Sequence, residues 1–329
     1  MLPRTAVVTA PKGLMESLEL QTPAPELFKA CLVAAAAAWP LVGSGDKLAV
    51  DGAAVDAMRA SFNSSDFGAR VVIGEGEKDE APMLFIGEEL GTASQIVWDI
   101  AVDPIDGTRL AAENLPGAVA VAAASTVGTM MNCPHVYYMQ KLVCGVEGVG
   151  VVDISYSATE NIQALAAALG KPVSEVVVAV INKPENADLI AEVQASGAKW
   201  HRFDDGDVAM AVAAATPGVP VDMMLGIGGN PEGVLAACAV RILGGFMQGR
   251  LAPRSDYESA SAIEAGYDVD RTYGLTELVA GDRHIFVLAS VTEGMLTQGI
   301  TENENGELEI ELFVLDTLLE GGRKVRVRV

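Results

Sequence analysis

The sequence is poor in cysteine and histidine, and neither residue type is spaced to bind a metal or to cross-link the fold. Its four cysteines lie far apart and form no Cys-x-x-Cys pair, and its three histidines lack the short intervals of zinc ligands. This pattern predicts reduced, mostly buried thiols, as in a cytosolic protein. It argues against both a disulfide framework and a Cys/His metal centre.

Basic residues are also scarce. The chain has 22 Lys and Arg against 44 Asp and Glu, and its formal net charge is −22. A field of this sign repels nucleic-acid phosphates and anionic membrane surfaces, so we expect neither as a partner. An anionic substrate would need a local source of positive charge, which bound divalent cations can supply.

The sequence contains no hydrophobic run long enough to cross a bilayer. The one candidate, residues 30–42, is too short and has Trp39-Pro40 near its end, so we predict a buried alanine-rich helix. The first ~20 residues lack the basic start, apolar stretch and cleavage site of a signal peptide. We therefore expect a cytoplasmic protein.

Half of the 329 residues are hydrophobic, so the chain can bury a sizeable core as one α/β unit or as two packed halves. We place a soft boundary near Lys171. Residues 1–170 would carry the main acidic motifs, and residues 171–329 would form a βαβ half with substrate contacts. The predicted elements are a capped helix from Ser157 to Gly170, strands over 176–181, 200–203 and 221–227, a helix from about Glu232, and a closing antiparallel pair over 308–315 and 324–329.

Two acidic motifs follow short β-branched runs. Residues 71–73 precede Gly74-Glu75-Gly76-Glu77, and residues 96–102 precede Asp-Pro-Ile-Asp-Gly-Thr at 103–108. We expect both motifs at strand exits and Asp51 at a similar turn or strand end, where a rigid sheet holds ligands firmly. Clustered carboxylates repel one another unless cations lie between them, and oxygen ligands favour Mg²⁺ or Mn²⁺.

The motif at residues 103–108 has a mechanical interpretation. Proline fixes the backbone after Asp103, Asp106 returns to the same side, and Gly107 permits a close approach of substrate. Thr108, if it begins a helix, can orient the attacking water. A plain surface turn is the simpler alternative for this motif taken alone.

The glycine-rich segment 226–233 resembles a phosphate loop but lacks the Gly-Lys-Ser/Thr ending of a P-loop. Glu232, at the entry of the following helix, is either a partner of the helix dipole or a further metal ligand, and spacing does not decide between them. Lys47, Lys141 and Lys183 each lie beside a turn and are candidate phosphate contacts, although a solvated surface position is the simpler interpretation for any one lysine.

Together these motifs resemble the class II fructose-1,6-bisphosphatases, the GlpX type, within the lithium-sensitive metal-dependent phosphatases. The resemblance covers roughly residues 26–250 in order, and the combination is more specific than any single motif. The matching stretches are residues 45–55, 72–77, 79–84, 99–105, 138–139, 141–142, 205–207, 226–229 and 231–233.

The resemblance implies a layered α-β-α-β-α sugar-phosphatase fold with two mixed sheets, dependence on Mg²⁺ or Mn²⁺, and assembly as a homo-oligomer. It implies hydrolysis of the 1-phosphate of fructose 1,6-bisphosphate, with sedoheptulose 1,7-bisphosphate as a second candidate substrate. The implied metal ligands are Asp51, Glu75, Asp103, Asp106 and Glu232. The implied catalytic residues are Thr108, Asp103 and Glu75. The implied substrate contacts are Asp106, Gly107, Thr108, Tyr138, Lys183, Pro184, Glu185, Asp205, Gly206, Asp207 and Gly229.

Three departures from the family pattern stand out. Asp106 replaces a glutamate of many members but keeps the carboxylate, so metal binding should survive. Glu185 stands where the family typically has the arginine of Lys-Pro-Arg-His, and we expect it to repel the remote phosphate of a bisphosphate. After about Arg254 the match thins, and the family's basic C-terminal tail is absent.

The predicted mechanism is metal-assisted hydrolysis of a phosphomonoester, in which cations bridge the phosphate and a water near Thr108 attacks in line. No covalent enzyme intermediate is required. The nearest alternatives are another bisphosphatase or an inositol-phosphate phosphatase, because the motif at residues 103–108 is shared across that wider group. The alternative from another class is a catalytically silent metabolite-binding protein.

Overall fold

The fold is given by a computed structural model that describes residues 22–74, 84–133, 135–319 and 321–329. Strands and helices alternate along most of the chain. The helices are α1 (Ala24–Ala38), α2 (Lys47–Asn63), α3 (Thr108–Ala112), α4 (Ala158–Leu169), α5 (Ala187–Ala195), α6 (Asp207–Ala215), α7 (Asn230–Leu243), α8 (Asp256–Glu264) and α9 (Leu275–Leu278). The strands are β1 (Ala69–Ile73), β2 (Glu89–Leu90), β3 (Trp98–Asp106), β4 (Val119–Thr126), β5 (Tyr138–Cys144), β6 (Val177–Ile181), β7 (Lys199–Phe203), β8 (Met223–Gly229), β9 (Phe246–Leu251), β10 (Thr272–Gly274), β11 (His284–Ser290), β12 (Thr301–Glu302), β13 (Leu308–Asp316) and β14 (Arg323–Arg328).

The strands form two mixed sheets. The first has the order β12-β13-β11-β4-β3-β1-β2, with β14 paired to β13, and the second has the order β10-β9-β5-β8-β6-β7. Parallel pairs occur between β1 and β3 and on both sides of β6, and the other pairs are antiparallel. Strand β5 thus joins the second sheet, and β11, β13 and β14 return to the first.

Three layers of helices cover these sheets. Helices α1 and α2 pack on the outer face of the first sheet. Helices α6 and α7 fill the space between the two sheets, and α4 and α5 cover the outer face of the second. The predicted α-β-α-β-α layering is therefore confirmed.

The central strand β4 shows how the sequence divides its side chains between two layers. Ala120, Ala122 and Ala124 belong to the apolar cluster with α1, while Val119 and Val121 belong to the cluster between the sheets. Successive side chains of a strand point to opposite faces, so a strand buried on both faces has no polar side. The small alanines also leave room for the alanine-rich helix to pack closely.

Several predicted elements are confirmed. Helix α4 begins with the predicted capping box, in which Ser157 Oγ accepts from the Glu160 N–H at 3.2 Å and Glu160 accepts from the Ser157 N–H at 2.9 Å. It ends at Gly170, whose φ of 65° is left-handed. The closing strands pair antiparallel, and all four cysteines are free and buried.

Two local predictions are wrong. Asp51 lies inside helix α2 rather than at a turn or strand end. Strand β3 does not stop before the acidic motif but continues through it to Asp106. The expected strand exit at Glu75 and Glu77 lies outside the described residues.

Helix α1 and the turn after it, Ala24–Leu41, form a helical segment long and apolar enough to cross a membrane by length and composition. Its apolar side chains, including Leu27, Phe28 and Leu32, are buried against the first sheet. In this fold the segment is a buried core helix, as predicted, but it begins at Ala24 rather than Ala30, and the expectation that it is too short to span a bilayer is wrong. The predicted absence of a signal peptide concerns the first ~20 residues, which lie outside the described residues.

Candidate active site

Asp103 and Asp106 lie at an irregular part of the pairing between β3 and β4. Asp103 pairs with Val121 and Asp106 with Val119, so three steps along β3 match two along β4. Side chains three residues apart on a regular strand face opposite sides of the sheet, and one extra residue restores the same side. The bulge therefore lets both carboxylates line one cavity.

This cavity has a volume of about 400 Å³ and brings together elements that are far apart in the sequence. Asp51 reaches it from α2, Asp205 from the loop before α6, and Glu232 from the first turn of α7. The residues that line it are Lys47, Leu48, Asp51, Asp103, Ile105, Asp106, Gly107, Thr108, Asp205 and Glu232.

Asp106 is the most deeply held carboxylate of this cavity. Its Oδ2 accepts hydrogen bonds from the backbone N–H groups of Val208 and Ala209, both at 3.1 Å, so it caps the first turn of α6. Burial is the main reason that the pKa of Asp106 is raised to about 8; the backbone N–H of Ala209 lowers the pKa, and the neighbouring carboxylates of Asp207 and Glu232 raise it. A cation in the cavity would remove this penalty.

The glycines before α7 leave space for carboxylates. A Cβ on Gly229 would lie 1.7 Å from Glu232 Oε2, and one on Gly228 would lie 2.0 Å from Asp207 Oδ2. A side chain at either position would therefore displace a carboxylate. Gly228 and Gly229 thus leave space for the carboxylates of Asp207 and Glu232. This accounts for glycine at both positions, so the segment need not be a phosphate-binding loop.

Lys141, one of the candidate phosphate contacts, is buried below this site with a side chain only 1% exposed. Its Nζ donates to Asp207 Oδ2 at 2.5 Å and to Gly229 O at 2.9 Å, and Asp207 Oδ2 also accepts from the Gly229 N–H at 2.9 Å. Lys141 therefore holds the start of α7 and opposes the negative charge of Asp207 and Glu232. It is a structural cation, and the simple surface interpretation is wrong for it.

Burial raises the pKa of Glu232. The charges of Lys141 and Lys183 lower this pKa, and the charge of Asp207 raises it. Burial also raises the pKa of Asp51. The carboxylates of Asp106, Asp207 and Glu232 thus interact with one another, whereas the raised pKa of Asp51 comes from burial alone.

A second group of predicted contacts lies around Tyr138, at the start of β5. Tyr138 pairs directly with Gly229, which places its ring beside the entrance to α7. The guanidinium of Arg254 lies 3.3 Å from the centre of this ring and donates to Glu185 Oε1 at 2.5 Å. Burial alone would raise the pKa of Glu185, but its own backbone N–H and Arg254 lower it. Glu185 is therefore paired, which the sequence-based expectation of a repelling anion did not include.

The remaining predicted residues take defined positions. Gly107 has a φ of 86° and precedes α3, and Thr108 Oγ1 donates to Ile105 O at 3.0 Å. Lys183 precedes a 3₁₀ turn that begins with Pro184. Gly206 has a φ of 89° and precedes α6.

The described carboxylates suit a hard divalent cation. Glu232 Oε2 and Asp207 Oδ1 are buried with no hydrogen-bond partner, an arrangement that costs free energy unless a cation or donor approaches. Within the described ranges no three His, Cys, Asp or Glu side chains converge tightly enough to coordinate one ion. The predicted ligand Glu75 lies outside those ranges.

Sequence reasoning missed two residues here. Arg254 was taken as the point where the family match thins, and Lys141 was predicted to be a phosphate contact or a surface residue rather than a buried partner of Asp207. Arg254 lies near Tyr138 because β9 pairs with β5. Ala252, two residues before Arg254, donates its N–H to Tyr138 O at 2.9 Å. Strand pairing between distant segments leaves no local signal in the sequence.

Comparison with known proteins finds relatives over most of the chain. The family model for "Bacterial fructose-1,6-bisphosphatase, glpX-encoded" matches residues 21–327. Fructose-1,6-bisphosphatase 2 class 2 of Escherichia coli K12 is 43% identical over 309 residues, which cover 90% of this chain and 94% of that protein. Fructose-1,6-bisphosphatase 1 class 2 of the same strain is 39% identical over 308 residues, which cover 90% of each.

Among solved structures, an inositol monophosphatase from Anabaena (Nostoc) is 16% identical, with a TM-score of 0.32 over 60% of this chain and 73% of that one. The family assignment depends instead on the match along the sequence. Since the family model spans nearly the whole chain, and relatives of about 40% identity do the same, this protein belongs to the glpX-encoded bacterial fructose-1,6-bisphosphatases.

Proposed function

We propose that this chain hydrolyses the 1-phosphate of fructose 1,6-bisphosphate, with sedoheptulose 1,7-bisphosphate as a further substrate of the same chemistry. The observation that carries the proposal is the bulge that directs Asp103 and Asp106 into one cavity with Asp51 and Glu232. Family membership supports the same reaction, which belongs to carbohydrate metabolism.

The family implies a divalent metal, and we propose Mg²⁺ or Mn²⁺ held by Asp51, Glu75, Asp103, Asp106 and Glu232. A ligand set made only of carboxylates suits these hard ions better than zinc or copper. When bound, the cations would act as Lewis acids on the phosphate oxygens and offset their charge. Without that charge, a chain of net charge −22 repels a bisphosphate.

Thr108 would orient the attacking water. Its hydroxyl donates a hydrogen bond to Ile105 O at 3.0 Å. The lone pairs of the hydroxyl oxygen therefore remain available to accept a proton from the water. Asp103, from the same bulge, would act with Glu75 on that water or on the ion beside it. Gly107, in its left-handed conformation, lets the chain turn sharply between β3, which carries Asp103, and the helix that begins at Thr108.

The proposed sugar-phosphate contacts surround this centre. Tyr138 and Gly229 lie side by side across the β5–β8 pair. Asp205 lines the cavity, whereas Asp207 is buried behind it and would act through Gly229. The proposed direct contacts are Asp106, Gly107, Thr108, Tyr138, Lys183, Pro184, Asp205, Gly206 and Gly229; the other two residues predicted from the family, Glu185 and Asp207, would act through Arg254 and Gly229.

The test is phosphate release by the purified protein with Mg²⁺ or Mn²⁺. The substrates are fructose 1,6-bisphosphate, sedoheptulose 1,7-bisphosphate and inositol 1-phosphate, and Asp103→Asn is the control for contaminating phosphatases. We expect the ketose bisphosphates to be preferred. A preference for inositol 1-phosphate would identify a different phosphatase, and no release from any substrate would indicate a metabolite-binding protein.

We also propose a cytoplasmic homo-oligomer whose two halves divide near Lys171. Size-exclusion chromatography with light scattering tests the assembly. Each sheet takes strands from both sides of residue 171, so limited proteolysis near this position tests whether the halves are separable.

A further inference from the structure

Arg254 is fixed at the edge of the site by three separate contacts. Its backbone N–H donates to Glu258 Oε2 at 3.0 Å, directly before the N-cap Ser255 of α8. Its side chain stacks on Tyr138 and pairs with Glu185. The guanidinium stacks on the Tyr138 ring through its face and uses one N–H for Glu185, so its other N–H groups remain available as donors. The Arg254 side chain is 44% exposed.

Both partners of Arg254 are attached to the strand that leads into Glu232. Tyr138 pairs with Gly229, and directly opposed residues of an antiparallel pair have Cα atoms about 4.5–5.5 Å apart. Glu185 is followed by Asn186, whose side chain bonds the N–H and the C=O of Ile227 at 2.8 and 2.9 Å. The arginine is therefore held next to the acidic cavity without being part of it.

We propose that Arg254 binds the remote phosphate of the bisphosphate, and that Glu185 is a positioning residue that holds the arginine against Tyr138. This inference rests on the proposed function. A planar guanidinium with free N–H donors suits a phosphate, since it can form two parallel hydrogen bonds. The stacking and the ion pair reduce the flexibility that the arginine would lose on binding.

The geometry changes the interpretation of Glu185. As an unpaired anion it would repel phosphate, but Arg254 compensates its charge in the free protein. Lys183, which also lowers the pKa of Glu185, adds a second cation to the same edge of the site. Two cations, Arg254 and Lys183, thus lie close to Glu185 at this edge of the site.

The experiment compares Arg254→Gln with the double variant Arg254→Gln/Glu185→Gln. If Arg254 only neutralised Glu185, the double variant, which removes both charges, would have the wild-type KM for fructose 1,6-bisphosphate. If Arg254 binds the phosphate, KM stays raised in both variants, by about tenfold or more, with little change in kcat. Arg328→Gln is the matched control because Arg328 also forms an exposed ion pair, with Glu309 on β13.

A second measurement separates this inference from the proposed function. Fructose 6-phosphate carries the remote phosphate and lacks the one to be hydrolysed, so its Kd with Mg²⁺ present can be measured by calorimetry without turnover. We expect a Kd raised about tenfold in both Arg254 variants and unchanged in Arg328→Gln. A wild-type KM and Kd in the double variant would overturn the role of Arg254, whereas absence of phosphate release from the wild-type protein would overturn the proposed function instead.

Discussion

Replacing Lys141 by methionine should strongly destabilise the protein, because the substitution removes the cation from a buried ion pair. The Lys141 side chain is 1% exposed and the Asp207 side chain 8% exposed. Removing one partner of a buried pair leaves an uncompensated charge, which costs roughly 3–5 kcal/mol. Glu232 lies in the same environment, so the negative charge left behind is not confined to Asp207.

This free energy can be expressed as a shift in melting temperature. An unfolding entropy of about 2.1 cal/mol/K per residue gives about 0.7 kcal/mol/K for 329 residues. A loss of roughly 3–5 kcal/mol then lowers Tm by about 4–7 °C. The assay is thermal unfolding of the metal-free protein followed by calorimetry or circular dichroism.

Two further variants test whether burial of the ion pair causes the loss of stability. Lys171→Met removes a cation from a more exposed pair, since the side chains of Lys171 and Asp222 are 26% and 16% exposed, and should cost less. Lys141→Met/Asp207→Asn removes both charges and keeps an acceptor for the Gly229 N–H, so it should recover much of the loss. If Lys141→Met melts no lower than Lys171→Met, burial of the Lys141–Asp207 pair does not stabilise this site.

Three further predictions concern the metal and the attacking water. Excess chelator should abolish phosphate release and added Mg²⁺ or Mn²⁺ should restore it; full activity in chelator would exclude the metal mechanism. Thr108→Ala should lower kcat on the order of a hundredfold with a near-normal Tm, and Thr108→Ser should keep most of the activity; a wild-type rate for the alanine variant would remove Thr108 from the mechanism. Because the pKa of Asp106 is raised from 3.8 to about 8, the metal-free protein should become less stable as the pH rises through this window. Its affinity for Mn²⁺ should increase over the same range, since protons compete with the ion for the carboxylate. Thermal melts and calorimetric Mn²⁺ titrations at pH 5 and pH 8 check the two directions.

The family, the layered fold and much of the acidic site could be predicted from the sequence. Capping residues such as Ser157 and Glu160 act within one helical turn, so their effect is local and visible in the chain. The motif at residues 103–108 also carries its chemistry in adjacent residues. For this reason the carboxylates and the threonine could be assigned before their positions were known.

The exact shape of that motif could not be predicted, because it depends on a neighbouring strand. The sequence pattern indicated that β3 would end before Asp103. In the fold, β4 pairs with both Asp103 and Asp106 of the motif, and the bulge between them, rather than a strand exit, turns Asp106 to the side of Asp103. Asp51 was likewise recognised as an acidic residue of the site, but its place on α2 was not.

The sequence by itself determined which residue types are available: clustered carboxylates, few cations, and glycines next to Glu232. Only the tertiary structure decided how the few cations are used. Lys141 and Arg254 look alike as isolated basic residues, yet one is buried against Asp207 and the other is exposed on Tyr138. The physical reason is that burial and ion pairing depend on segments far apart in the chain, such as residues 69 positions apart for Arg254 and Glu185, and no local pattern records those contacts.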